Sequence, residues 1–183
     1  MLSYLVVSVL LFNCCTANKV ADSLIQKSCK EISKYYLGEQ QLQLNKDCIS
    51  SLRENPKSQK ARNIDDLILV GGDNAISNLT NVKRIVEKII KERKYKTSLS
   101  KKLLEDCLKL YSRSSHFLTS ALNKLKMGKF DDASSDFFNA EDAPIFCELK
   151  FNGDNQQISP VKKENLLLIT IINIPKMLIF EAE

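Results

Sequence analysis

Cysteine is the residue type with most chemistry to offer in this chain. There are six, at positions 14, 15, 29, 48, 107 and 147. Such a set can ligate a metal or form disulfides. None of the last four lies in a CxxC pair, and the lone histidine, His116, gives a Cys/His zinc site little to work with. Cross-linking is therefore the expected use. Catalysis fares no better. A catalytic histidine needs a nucleophile and an orienting acid within reach. Ser114 and Ser115 adjoin His116 in sequence, but residues one and two apart do not face each other on a helix. Glu105-Asp106 and Asp131-Asp132 are acid pairs of the kind found solvated or at helix ends. Nothing assembles into an active site or calls for a cofactor or metal, so the chain is expected not to be an enzyme.

Whether the cysteines oxidise depends on where the chain is sent. Met1 to Phe12 is apolar and uncharged, and Cys14-Cys15-Thr16-Ala17 follows. That reads as a secretory signal peptide over residues 1–17, cut near Ala17, although its start carries no Lys or Arg. The run is shorter than the roughly 20 apolar residues a membrane span needs. Cleavage removes Cys14 and Cys15 and leaves Cys29, Cys48, Cys107 and Cys147, an even set suited to a disulfide framework in an exported chain. Asn78-Leu79-Thr80 is an N-glycosylation sequon that agrees with export and would place Asn78 on the surface.

The chain has 183 residues and a net charge of +5, which the uncharged leader does not alter on removal. Its basic residues are dispersed and lack interleaved aromatics, so a nucleic-acid partner is not expected. They fit solvated helix faces, or attraction to an acidic partner such as a carboxylate-rich cleft or pectin. With 5 Gly, 4 Pro and no Trp, the chain is poor in turn residues, which favours long helices over many short strands.

The apolar periodicity agrees. From Ile64 to Ile90 apolar residues step by three or four, predicting one long helix. Gly71-Gly72 within it marks either a bend or the close approach of a neighbour. Lys91 to Ser98 reads as a loop, and a second helix is predicted from about Leu99 to Met127, with Gly128 in the position of a C-terminal cap. A third starts near Asp131, with Ala133, Phe137 and Ala140 on one face and Phe138 beside them. Pro144 is expected to interrupt or kink it before Cys147. Lys150 to Ile158 reads as a loop. Ser159-Pro160 opens a last helix that is apolar nearly all round, as at the centre of a bundle. Pro175 stands inside it without an evident reason. Asn173, Pro175 and Lys176 argue against a C-terminal membrane anchor.

The fold class expected is all-α: an up-and-down four-helix bundle over 57–183, preceded by an N-terminal helical hairpin over 18–56. The hairpin is too small to hold a fold alone. Four cysteines allow three pairings. Cys29 with Cys48 and Cys107 with Cys147 is preferred because each bond is then local, one within the hairpin and one between the second and third bundle helices.

Several segments resemble the plant invertase and pectin methylesterase inhibitor family. They are Ile25-Gln26-Lys27-Ser28-Cys29-Lys30, Asp47-Cys48-Ile49-Ser50-Ser51-Leu52, Asp106-Cys107-Leu108-Lys109-Leu110-Tyr111, Cys147-Glu148, and Ser159-Pro160-Val161 with Glu164-Asn165. Their order and spacing carry the likeness from about Asp22 to Leu178. The resemblance implies a hairpin leading into a four-helix bundle, one disulfide in each, and stoichiometric inhibition of an acid invertase of cell wall or vacuole, or of pectin methylesterase. It also implies a secreted, apoplastic protein, with the vacuole as the alternative destination, held by no membrane once the leader is gone and acting as a monomer. The chain departs from the family in the Gln-rich Glu39 to Leu44 insertion, in Pro175, and in reading Gly128-Lys129-Phe130 where invertase inhibitors carry Pro-Lys-Phe.

Gly128, Lys129 and Phe130 are the candidate target-binding residues. Retaining glycosidases pair carboxylates in a sugar cleft. A lysine ammonium entering that cleft gains charge-assisted hydrogen bonds, and an adjacent ring fills the place of a sugar. Read without a target, the same residues are a helix cap, a solvated lysine and the start of the next core face. Family inhibitors of pectin methylesterase use a broad bundle face that has no short signature. The preference at this level is invertase. The alternatives are pectin methylesterase and, in another class, a non-inhibitory secreted protein that holds wall polysaccharide.

Overall fold

The computed structural model describes residues 19–153 and 157–182. The expected leader, with Cys14 and Cys15, lies outside them. Helix α1 occupies 19–33, and α2 spans Gly38–Glu54. After a 3-10 turn at Pro56–Lys60 come α3 (Ile64–Lys91), α4 (Ser98–Lys126), α5 (Phe130–Asn152) and α6 (Lys162–Ala182). Among the described residues every regular element is helical.

Helices α3 to α6 form the bundle. Each packs on the next, and α6 closes the ring against α3. The hairpin of α1 and α2 leans on α3 and α6. Local chemistry starts the bundle helices where they start. The Asn63 side chain accepts from the Asp66 amide at the head of α3, and Thr97 accepts from the Ser100 amide at the head of α4. The core is built from the predicted stripes: Leu67, Leu79 and Val86 of α3, Leu103 and Leu118 of α4, Phe137 and Ala140 of α5, Leu168 and Leu178 of α6, all buried. Helix α6 is long and apolar enough to cross a membrane by composition, but half of that stretch is buried in the bundle.

Both disulfides join the preferred pairs, Cys29–Cys48 across the hairpin and Cys107–Cys147 between α4 and α5. A polar chain runs from the second. The Tyr111 hydroxyl, 3.2 Å from Cys147 Sγ, donates to Asn165 Oδ1 at 2.6 Å, and Asn165 Nδ2 donates to Glu148 at 2.7 Å. Burial holds the Tyr111 phenol well above its ordinary value of 10.0. Its contribution to stability is therefore whole below that value and is shed as the pH climbs above it.

Several boundaries and breaks differ from the sequence reading. The Glu39 to Leu44 insertion extends no loop; it forms the first turns of α2, with Leu44 buried. Helix α5 runs on to Asn152, and Pro144 does not interrupt it. A proline at position 144 deprives the Ala140 carbonyl of its helical donor. Here the Ser114 hydroxyl reaches across from α4 and donates to that oxygen at 2.8 Å, in a buried setting. The helix survives because a neighbour satisfies the freed group. Ser114→Ala should thus cost about 1–3 kcal/mol, the usual penalty for a buried unsatisfied acceptor. In a Pro144→Ala background the cost should shrink, since the Asp-Ala-Ala-Ile backbone would supply its own donor. Equal losses in both backgrounds, measured by urea unfolding, would refute this account.

Gly71-Gly72 does not break α3. Both glycines are buried within a continuous helix. A Cβ on Gly71 would lie 3.2 Å from Pro175 Cβ and 3.3 Å from its Cδ, and one on Gly72 would lie 2.6 Å from Leu122 Cδ2. The pair marks close helix approach: Pro175 of α6 comes up to Gly71, and Leu122 of α4 to Gly72.

Candidate functional site

Met127, Gly128 and Lys129 form a three-residue link of fixed shape between α4 and α5, and Phe130 opens α5. Gly128 has φ +71°. Its amide donates to the Leu125 carbonyl at 3.0 Å, and the Lys129 amide donates to the Lys124 carbonyl at 2.9 Å. These two bonds are a Schellman cap, which favours glycine at the left-handed position. The Lys124 side chain adds a clasp. Its ammonium lies 2.7 Å from Asp136 and 3.2 Å from the Asp132 carbonyl, both on the following helix. Glycine therefore does not leave this loop slack, as the loss of the family's proline would suggest.

The three candidates do not present themselves together. Lys129 is exposed, whereas Phe130 is half-buried and packs on the core. The exposed apolar neighbour of Lys129 is Met127, with 62% of its surface free. Charge also differs from expectation. Lys129 shares the lining of a depression of about 620 Å³ with Asp65, Asp131 and Asp132, three acidic residues from two helices. Asp131 and Asp132 sit in the first turn of α5, where they complement the helix dipole.

A second surface was missed at the sequence level. Phe138, beside the Ala133, Phe137 and Ala140 face in sequence, is 63% exposed. With Ile145, Phe146 and Leu149 it lines the outward side of that helix, and Phe146 and Leu149 are 47% and 55% exposed. The spacing of 138, 145 and 149 places these three on one helical stripe. That stripe is opposite the Ala133, Phe137 and Ala140 stripe, so two apolar faces on one helix were the available signal. Lys176 of α6 borders the patch, 5.6 Å from the Phe138 ring centroid and ion-paired with Glu141. Large apolar side chains exposed along one helix face often mark an interaction site.

The remaining candidates fall elsewhere. His116 is exposed on α4 while Ser114 points into the α4–α5 seam, so the two do not form a nucleophile and base. Asn78 is half-buried in the middle of α3, lining a groove beside α2.

Comparison with known proteins agrees with this geometry. The family model described as plant invertase/pectin methylesterase inhibitor matches residues 23–174. The chain is 31% identical over 155 residues to pectinesterase inhibitor 12 of Arabidopsis thaliana, covering 85% of each protein. It is 27% identical to a Platanus orientalis protein named "Putative invertase inhibitor", covering 84% of this chain and 86% of that one. A Platanus acerifolia protein of the same name is also 27% identical, over 80% of this chain and 78% of its own length. With its hairpin, its bundle and one disulfide in each, the chain belongs to the plant invertase/pectin methylesterase inhibitor family.

Proposed function

We propose that the protein is a non-catalytic inhibitor of a pectin methylesterase, exported after removal of residues 1–17, which docks on its enzyme through the outward face of α5. The observation that carries this reading is the exposed stripe of Phe138, Ile145, Phe146 and Leu149. Large apolar and aromatic side chains of this kind supply the dominant energy in protein interfaces. A broad helical face suits the covering of a substrate cleft, and the Arabidopsis relative named a pectinesterase inhibitor supports the same target. The buried disulfides support export to an oxidising compartment. The family's one-to-one inhibition supports action as a monomer.

Invertase is the second reading, favoured by the exposed Lys129 on a rigid loop. Pectin methylesterase takes the place of invertase, the preference stated from sequence, because the Phe130 ring is engaged with the core and the depression at Lys129 is also lined by three acidic residues. Like charge facing a carboxylate-lined cleft is unfavourable.

Titration of the oxidised protein against both enzymes tests the proposal. Pectin methylesterase activity should fall with a one-to-one endpoint. Phe146→Asp should weaken that inhibition by about 30-fold or more, the scale of losing one anchor, with helicity unchanged. Lys129→Glu should leave it intact. If Lys129→Glu abolishes inhibition of either enzyme while Phe146→Asp is silent, the α5 face is not the docking surface. Salt-sensitive retention on pectin with no effect on either enzyme would favour a wall-binding protein instead.

A further inference from the structure

Between the hairpin and the bundle lies a groove of about 550 Å³ that the inhibitory surfaces do not use. One wall is α2, with Asp47, Ser50 and Glu54. The other is α3, with Ser77, Asn78 and Asn81, and α6 contributes Leu167 and Ile171. The groove is closed at one end by a fixed clip. Asn74 Nδ2 donates to the Ser51 carbonyl and hydroxyl at 2.8 and 3.0 Å, and Asn55 donates to Asn74 Oδ1 at 2.7 Å. At the far end of the hairpin, Asn173 donates to the Tyr36 hydroxyl at 2.8 Å, and Tyr35 meets Phe180 edge-on at 5.3 Å. Between these attachments Leu44, Cys48 and Leu52 of α2 pack into the core shared with the bundle, and the groove lies beside them. Its lining combines hydroxyls, amides and carboxylates with the aliphatic Leu167, which is 44% exposed.

We propose that Asn78 carries an N-linked glycan whose first N-acetylglucosamine lies in this groove and braces the hairpin against the bundle. The inference rests on the export proposed above, but not on the identity of the target. The sequon Asn78-Leu79-Thr80 puts the acceptor nitrogen on the groove wall, so the occupant is delivered covalently. A pyranose ring has an apolar face and a hydroxyl rim. The apolar face suits Leu167, and the hydroxyls and acetamido group suit Ser50, Glu54 and Asn81. The cleft falls within the ~300–1,000 Å³ range of small-ligand sites.

The timing of attachment follows from the fold. Asn78 sits in mid-helix, and the Thr80 hydroxyl donates to the Ile76 carbonyl at 2.8 Å. The acceptor must therefore be reached on the unfolded chain, during export. The donor is an oligosaccharide linked to a lipid diphosphate. The C1–Nδ2 bond forms as the C1–oxygen bond to the diphosphate breaks, the diphosphate leaves with that electron pair, and the amide nitrogen loses one proton.

The test uses the full chain secreted from plant cells, in three forms: fully glycosylated, trimmed to a single N-acetylglucosamine by endoglycosidase H, and the sequon-less Thr80→Ala. Glycosylation inhibitors of processing keep the glycan trimmable. Peptide mass spectrometry should find Asn78 occupied. Hydrogen exchange of α2 should be slower, by about 10-fold, in the first two forms than in Thr80→Ala, with α4 and α5 unchanged. Thr80→Ser, which keeps the sequon, should match the wild type, and Leu167→Ser should erase the difference between the trimmed and sequon-less forms. An unoccupied Asn78, or an occupied one with no change in α2 exchange, overturns the proposal. Inhibition is measured separately on each form, so failure of the glycan role and failure of the inhibitory reading are told apart.

Discussion

Replacing Cys107 and Cys147 together by alanine should lower the stability of the oxidised protein by about 4 kcal/mol, through a loop of 40 residues. For a domain of this size that is a fall in Tm of roughly 8–16 °C. The chain-entropy argument sets the scale, since an unfolded chain without the bond has more conformations to gain. The surroundings make the loss global. The bond joins α4 to α5 at the point where Tyr111 and Asn165 tie α6 to both. The corresponding change at Cys29 and Cys48 opens a loop of 19 and should cost about 3 kcal/mol. Its consequence should be local. The hairpin core around that bond is small, with Ile25, Ile32, Leu44 and Leu52 buried. Without the staple, α1 and α2 should lose amide protection while α4 and α5 retain it. Hydrogen exchange on both double variants checks this. Uniform loss of protection after removing the hairpin bond would show that hairpin and bundle fold as one unit.

Gly71→Val should destabilise the protein by about 3 kcal/mol, the upper part of the range for overpacking a core. Helix propensity alone predicts a gain, because glycine in a helix costs about 1 kcal/mol relative to alanine. The sign reverses because the neighbour cannot yield. A Cβ at Gly71 meets Pro175 at 3.2 and 3.3 Å, and a proline ring has no rotamer into which it can retreat. Gly71→Ala should fall between, with the propensity gain offsetting part of the clash. Pro175→Ala removes the Cδ contact, frees the remaining Cβ from the ring and gives the Ile171 carbonyl an amide donor, so Gly71→Ala should cost less in that background than in the native one. The double-mutant cycle should show a coupling of at least 1 kcal/mol. Additivity within about 0.5 kcal/mol would mean that Gly71 and Pro175 are independent. The contact also explains how a proline persists within α6: it sits on the smooth spot that Gly71 leaves on α3.

Much of this architecture could be read in the order of residues. Period-of-three-and-four stripes reveal which side of each helix avoids water, since burial of apolar surface is a one-dimensional pattern before it is a structure. The glycine cap at Gly128 and the preference for local disulfides depend on separations along the chain and are legible for the same reason. The family motifs around Cys29, Cys48 and Cys107 draw on that local character too.

What the chain order withheld depends on partners distant in sequence. Pro144 leaves α5 whole because Ser114, 30 positions earlier, supplies a hydroxyl to the orphaned Ala140 carbonyl. Pro175 and Gly71 are a matched pair only once α6 lies on α3. Phe138 and Phe137 are adjacent in sequence and chemically alike, yet one is exposed and the other buried, because α4 and α6 cover only one side of α5. Residue type and spacing thus determined the helices, the sulfur bridges and the family. Tertiary packing decided which aromatic rings remain free to meet another protein, because exposure is a property of what the other helices leave uncovered.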